Sequence, residues 1–568
     1  MRTYRTAPSH PLYRGRCHYD RGVSEETLSI EARLPEAVGP AVGEAADAAR
    51  EQNVADRLRD FDATLWAPEG TPEVANRLGW LTIAERMLDA LLEIERVADG
   101  VRQDGLSDVV LLGMGGSSLA PEVFRRTFEA GPLRLHVLDS TDPAWVSAVG
   151  AAIDPARTLF IVSSKSGGTI EPLSLYAHFA SLAPGGASFV AITDPGSGLA
   201  ELATEKDFRH VFYGDPDIGG RYSALSPFGI VPATLMGVDT AALLRGAAGA
   251  WKTSALAPSA ADLPGAVWLG AALAALAKGG RDKLTFVIGE TLPGLGLWLE
   301  QLVAESTGKH GTGILPVADE PLGEPGVYGE DRVFVHIADR SASEDALARG
   351  LDALAEAGHP VVTIPIRDPL EIGRVFLLAE LAVAVAGWGL AINPFDQPNV
   401  QQAKDATNRV LDGFQQDGAL PEIPSASDEE LRELLLGATA GDYVALMGYL
   451  QPSEDLDAAL AGLREAIRAA TRATTTFGYG PRFLHSTGQF HKGGPKSGRF
   501  LQLLHHERED VAIPGRPFTF GTLEEAQAIG DLQTLRETGL PAQRVRLEGE
   551  DPAAAVRALT SKIREWTT

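Results

Sequence analysis

The segment Ser163-Ser164-Lys165-Ser166-Gly167-Gly168-Thr169 gathers four hydroxyl groups, two glycines and one cation in consecutive positions. It follows the apolar run Leu159–Val162 and precedes a helical pattern that starts at Ile170. A turn of this kind aims backbone N–H groups from a helix N-terminus, where the macrodipole favours an anion. The hydroxyls can donate to phosphate oxygens, and Lys165 adds a point charge. The ligand chemistry that suits it is a small phosphomonoester. The plainer alternative is a helix N-cap by Ser166 or Thr169. A second strand–turn–helix device is Val109–Leu112 followed by Gly113-Met114-Gly115-Gly116-Ser117-Ser118. A dinucleotide-binding turn would place a glycine where Ser118 stands, with Asp139 at the end of the next strand as its ribose-binding acid. The other readings are a sugar or phosphate contact and a purely steric turn.

Further along, Gln301 and Glu305 stand four residues apart and share one face of a largely apolar helix, about Gly296–Ser306. Glu305 lies at the C-terminal end of that helix, where the macrodipole disfavours negative charge, as suits a general base. Its alternative is a solvated helix-end glutamate. Arg221 follows Gly219-Gly220, so backbone and guanidinium can both approach a ligand and stabilise a developing oxyanion. Lys404 lies one turn into a helix that Asn399 could cap, after Asn393-Pro394-Phe395-Asp396-Gln397-Pro398. His485-Ser486-Thr487-Gly488-Gln489-Phe490-His491-Lys492 packs two histidines and a lysine into one polar loop. With no carboxylate inside the loop, acid–base work is a better reading than a metal site.

The elements that must position these residues read as α/β. Strand-like runs at 109–112, 135–138, 159–162, 189–192 and 210–213 alternate with helical segments. Short, nearly continuous apolar strands separated by helices imply a parallel sheet covered on both faces. Both hydroxyl-rich turns then lie at its carboxyl edge, where such sheets bind ligands. A second unit has strands at 284–288, 333–337 and 361–364 and a long apolar helix at 375–388. The expected division is an N-terminal arm and helix (1–60), a first unit (61–245), a second (246–418) and a smaller C-terminal α/β subdomain (419–568). The arm carries Arg2, Arg5, Arg14, Arg16 and Arg21 with little apolar pattern and reads as surface-hugging or disordered.

Composition narrows the classes. The chain has 568 residues, 44% of them hydrophobic, and a formal net charge of -26, which argues against a general nucleic-acid or anionic-membrane surface. A phosphorylated ligand would need a locally basic pocket. The single cysteine, Cys17, excludes an internal disulfide and a cysteine-based zinc site. No apolar run reaches roughly 18 residues and the N-terminus lacks an apolar leader, so a soluble cytoplasmic protein is expected.

Five motifs in order, Gly113–Ser118, Ser163–Thr169, Gly219–Ser223, Gln301–Lys309 and Asn393–Lys404, resemble the glucose-6-phosphate isomerase family. The resemblance covers roughly 105–410 and implies two doubly wound sugar-isomerase (SIS) domains, usually in a homodimer, without metal or redox cofactor. It implies interconversion of glucose 6-phosphate and fructose 6-phosphate, a step of glycolysis and gluconeogenesis. By motif, Ser164, Ser166 and Thr169 would bind the phosphate beside Lys165, and Gly116 and Ser117 would line the sugar pocket. Glu305 would move the proton through a cis-enediolate that Arg221 stabilises. Gln301 and Gln397 would lie near the substrate, and Lys404 would assist ring opening with a histidine. In the family that histidine precedes the lysine motif and typically comes from the partner subunit. Here the interval holds only His310, His336 and His359, none in the expected surroundings, whereas Gly488-Gln489-Phe490-His491 follows Lys404. His491 or His485 is the expected substitute. The flanking segments resemble the isomerase half of bifunctional transaldolase/glucose-6-phosphate isomerase proteins. No room remains for the transaldolase barrel, so that activity would be encoded elsewhere. A phosphosugar-binding SIS regulator without catalysis and a nucleotide-binding oxidoreductase are the competing readings.

Overall fold

The computed structural model describes residues 12–16, 30–255, 263–505 and 509–567. Three parallel α/β units make up the chain. The first is a five-stranded sheet in the order Arg134–Leu138, Asp108–Gly113, Thr158–Ser163, Phe189–Thr193, His210–Tyr213, every neighbour parallel. The crossovers diverge between the second and third of these strands, so their carboxyl ends flank the crevice where a doubly wound sheet accepts a ligand. The two turns singled out above leave those two ends. Their strands are apolar and buried along their whole length, as a sheet covered on both faces requires.

The second unit is a six-stranded sheet. Val361–Ile366, Arg332–Asp339, Lys283–Ile288 and Leu315–Val317 run parallel. Glu31–Pro35 adds antiparallel to Val361–Ile366, and Leu12–Arg16 pairs antiparallel with Glu31–Pro35. Part of the expected arm is thus sheet edge, because the Glu-Ala-Arg-Leu alternation buries Ala32 and Leu34 against the second unit. Arg2, Arg5, Cys17 and Arg21 lie outside the described residues. The helix Leu295–Thr307 follows the strand Lys283–Ile288 and carries Gln301 and Glu305.

The third unit orders four parallel strands as Thr474–Tyr479, Tyr443–Tyr449, Gly498–Leu504, Ala542–Arg546. Helices Glu454–Thr471 and Pro552–Thr567 cover one face. The other face joins a core with Ala304, Leu315 and Val317 of the second unit. Helix Phe520–Glu537 is buried on two sides. It presents Phe520, Leu523 and Ile529 to the first unit's core and Ala528, Leu532 and Leu535 to the third sheet. Charged groups carried inward on it are paired, as in Asp531 with Lys492 at 2.6 Å. Among the described residues no helix is long and apolar enough to cross a membrane.

A cavity of about 20 Å³ lies at the seam between second and third units, lined by Glu300, Thr476, Ser486, Thr487 and His491. Burial, with Asp319 nearby, pushes the Glu300 carboxyl up to about 8, against the pull of Arg464. Between its ordinary 4.5 and about 8 the folded chain holds a proton there that the unfolded chain has released. Stability from this group therefore falls as pH rises through that window and levels off above it. In thermal melts, Glu300→Gln should be more stable than the parent near pH 8, with the gap opening from about pH 4.5 upward. A gap independent of pH would contradict the assignment.

Candidate active site

The phosphate-friendly turn keeps its hydroxyls off its own helix. Thr169 occupies the N-cap of helix Ile170–Ala180 without a side-chain capping bond, so the capping alternative does not hold for it. Ser164 donates to the Thr169 hydroxyl at 3.2 Å, and Ser166 is exposed. The helix's first amides are left without a side-chain cap, the arrangement an anion satisfies. Lys165 is placed otherwise than the sequence suggests. Its ammonium is held by Asp194 at 2.5 Å and donates to the Asp215 carbonyl at 2.9 Å.

The glycine turn is built by close approach. A Cβ on Gly116 would lie 2.0 Å from the Gly220 carbonyl oxygen. Gly115 has φ +54°, and a Cβ there would lie 2.7 Å from the His485 carbonyl oxygen. The turn therefore carries the Arg221 loop and the His485 loop against it. Ser223 donates to the Gly116 carbonyl and Ser163 to that of Ser117, which ties these loops together. Asp139 is not a free ribose acid. It accepts two bonds from Arg482, at 2.8 and 2.7 Å, and one from Ser118 at 2.9 Å.

Arg221 is 1% exposed and fully committed. It donates to Ser306, to Gln397 Oε1 and to the carbonyls of Pro394 and Asp396. Its Nη1 lies 3.2 Å from Glu305 Oε1. Lys309, wholly buried, bonds Asp396 from below; burial and the neighbouring Arg221 pull it down to about 8. The other Glu305 oxygen accepts from Gln301 Nε2 at 3.0 Å, and the same nitrogen donates to the His485 carbonyl at 2.9 Å. Gln301 Oε1 is buried with no partner among the described residues.

Of the two expected histidines the structure brings one to the site. His485 Nε2 lies 2.8 Å from Glu171 Oε1, in the first turn of the phosphate helix. Gln527 donates to the same oxygen and accepts from Thr141. Burial alone would push Glu171 up; the His485 charge and hydrogen bond, with Lys404's charge, outweigh it and hold the carboxylate below its ordinary value. Lys404 is exposed on helix Val400–Asp417, and its charge is felt at Glu171. His491 sits elsewhere, a correction to its candidacy. It is stacked on Tyr443 and bonded to its hydroxyl, and burial, with Lys492 adjacent, pulls it down to about 3. His336 pairs with Glu344, His359 packs edge-on to Phe334, and His310 is exposed. The sequence reading missed Glu171, Gln527, Arg482 and Lys309. Glu171 had a local signal, an acid in the first turn after the hydroxyl cluster; Gln527 and Arg482 had none.

The family model described as phosphoglucose isomerase matches residues 82–330. The glucose-6-phosphate isomerase of Rubrobacter xylanophilus is 31% identical over 378 residues, spanning 56% of this chain and 85% of that protein. The chain belongs to the glucose-6-phosphate isomerase family. The isomerase of a Thermus thermophilus strain is 29% identical over 402 residues, 63% of this chain and 95% of its own. Among solved structures, a glucose-6-phosphate isomerase from Chlamydia trachomatis superposes with TM-score 0.58 at 19% identity, covering 69% of this chain and 90% of that one. That likeness speaks for the fold alone. With Asp139 bound to Arg482, and with this family match, neither the oxidoreductase reading nor a non-catalytic regulator is favoured; this family member is an aldose–ketose isomerase.

Proposed function

We propose that this isomerase interconverts glucose 6-phosphate and fructose 6-phosphate, with Glu305 as the base and His485 as the ring-opening acid. The observation that carries the assignment of roles is one line of contacts. It runs from Glu171 on the phosphate helix through His485 and Gln301 to Glu305 and Arg221. One small phosphosugar would lie along it. The phosphate is held by Ser164, Ser166, Thr169 and the amides opening the helix, which anchors the sugar for the chemistry. Ionised Glu171 accepts from His485 Nε2–H and favours the imidazolium, whose Nδ1–H gives its proton to the ring oxygen as the C1–O5 bond breaks and the O1 proton leaves to solvent. Lys404 supports that step by its charge. Glu305 then removes the proton from C2 and returns it to C1. Arg221, held rigid by Ser306, Gln397, the Pro394 and Asp396 carbonyls and Glu305, stabilises the enediolate by its fixed positive charge. Gln301 Oε1 and the Gln397 amide take sugar hydroxyls, and Gly116 and Ser117 line the pocket.

The test is a coupled assay of fructose 6-phosphate conversion by the parent and by a Ser164→Ala, Thr169→Val double variant. Hydrogen bonds to a charged group contribute about 1.5–3 kcal/mol each, so kcat/KM should fall roughly 100-fold or more. Inhibition by inorganic phosphate should weaken in parallel. Unchanged kcat/KM would refute the phosphate cradle. The same reading extends to a homodimer and a cytoplasmic location, in keeping with the family likeness; a mass measurement in solution reads the first.

A further inference from the structure

We propose that the third unit is a built-in closure of the active site: it delivers His485 to the Glu305 of its own chain, so that a single chain is catalytically complete. The proposal rests on the roles assigned above to Glu305 and His485. Three sets of contacts carry it.

The first is the approach to His485. The segment Arg482–His485 leaves the strand Thr474–Tyr479 at its carboxyl end and crosses to the first unit. There the Arg482–Asp139 pair, 5% and 0% exposed at the side chains, holds it with two parallel bonds. Stripping either partner would strand a buried charge, so the latch is kept closed by what opening costs. The second is the bracket that follows. Gln489 donates to the Gly308 carbonyl, just past the Glu305 helix, and to Asn399, at the start of the Lys404 helix, whose amide it accepts from in return. One buried side chain of the third unit thus spaces the base helix from the lysine helix. The third is apolar. The third sheet shares a core with Ala304, Leu315 and Val317, and helix Phe520–Glu537 shares one with the first unit while presenting Gln527 to Glu171. Interfaces this apolar behave as one body rather than as hinged domains.

Delivery from a neighbouring copy would need the connector at 418–427 to swing free. That connector lies on the same cores, with Leu420 and Ile423 packed against them. The third unit therefore stays on its own chain.

The experiment co-expresses Glu305→Gln and His485→Gln chains carrying different tags and isolates the doubly tagged hybrid, with fructose 6-phosphate as substrate. Each variant alone is expected to be strongly impaired. With delivery inside the chain, every site of the hybrid lacks one group, and activity stays at the sum of the single variants. With delivery between chains, one of the two sites regains both groups, and recovery to about half the parental activity per hybrid overturns the proposal. An active His485→Gln chain on its own would instead refute the role of His485. As a second measurement, the parental chain is diluted until mass photometry shows monomers alone. Specific activity per chain should hold; its loss on dissociation would likewise overturn the proposal. If no hybrid can be isolated, this dilution series decides the matter.

Discussion

Glu305→Gln should lower kcat by roughly 100- to 10,000-fold, the range that general acid–base groups supply. The substitution keeps the shape of the side chain and an oxygen that can still accept from Gln301 at the position now 3.0 Å away. It removes the lone pair that takes the C2 proton. Binding of a phosphosugar inhibitor should remain nearly intact, because the phosphate turn belongs to a different unit from the base helix. The sharpest readout is exchange of the substrate's C2 proton with deuterated solvent, followed by NMR. In the variant it should disappear along with turnover. Exchange at the parental rate would eliminate Glu305 as the base, whatever happened to overall activity.

The second large effect belongs to Arg221. Arg221→Met removes the cation beside Glu305 and the donors to Ser306, Gln397, Pro394 and Asp396. Losing one preorganised donor at an oxyanion site lowers kcat by roughly 100- to 1,000-fold. Here a stability loss accompanies it. The Pro394 carbonyl loses its guanidinium donor, whereas that of Asp396 keeps Lys309, and an unsatisfied buried polar group costs about 1–3 kcal/mol. Arg221→Lys separates the two effects. It restores a charge and should regain part of kcat, but an ammonium lacks the planar fork, so the melting temperature should stay low. If Arg221→Met retained parental kcat and lost only stability, the residue would be structural and the enediolate would need another stabiliser.

Much of this was legible in the sequence where the signal is local. The five strands of the first sheet are short apolar runs between helical patterns, and each lies where its run predicts. The pairing of Gln301 with Glu305 follows from a spacing of four on one helix. Other elements carry no such signal. Thr474–Tyr479 opens with three threonines, and its place as a buried strand depends on Tyr443–Tyr449 beside it. Leu315–Val317 has three residues, one a proline, and is a strand only because Lys283–Ile288 pairs with it. Lys165 illustrates the limit on side chains. Its type and position suit a phosphate, but nothing nearby in the chain announces that Asp194 takes its ammonium.

The sequence by itself therefore determined the kinds of chemistry present: a hydroxyl turn opening a helix, a carboxylate near a helix end, an arginine after two glycines. Each is set by residues within a turn or two of one another, whose geometry the backbone imposes. The long-range packing alone set which histidine lies beside Glu171 and Gln301, that Asp139 anchors a loop rather than a nucleotide, and that a third sheet packs against the other two units. Those outcomes rest on His485 meeting Glu171 across 314 residues and Arg482 meeting Asp139 across 343. Contacts of that span are chosen by how whole sheets and helices bury their apolar faces, which no local spacing records.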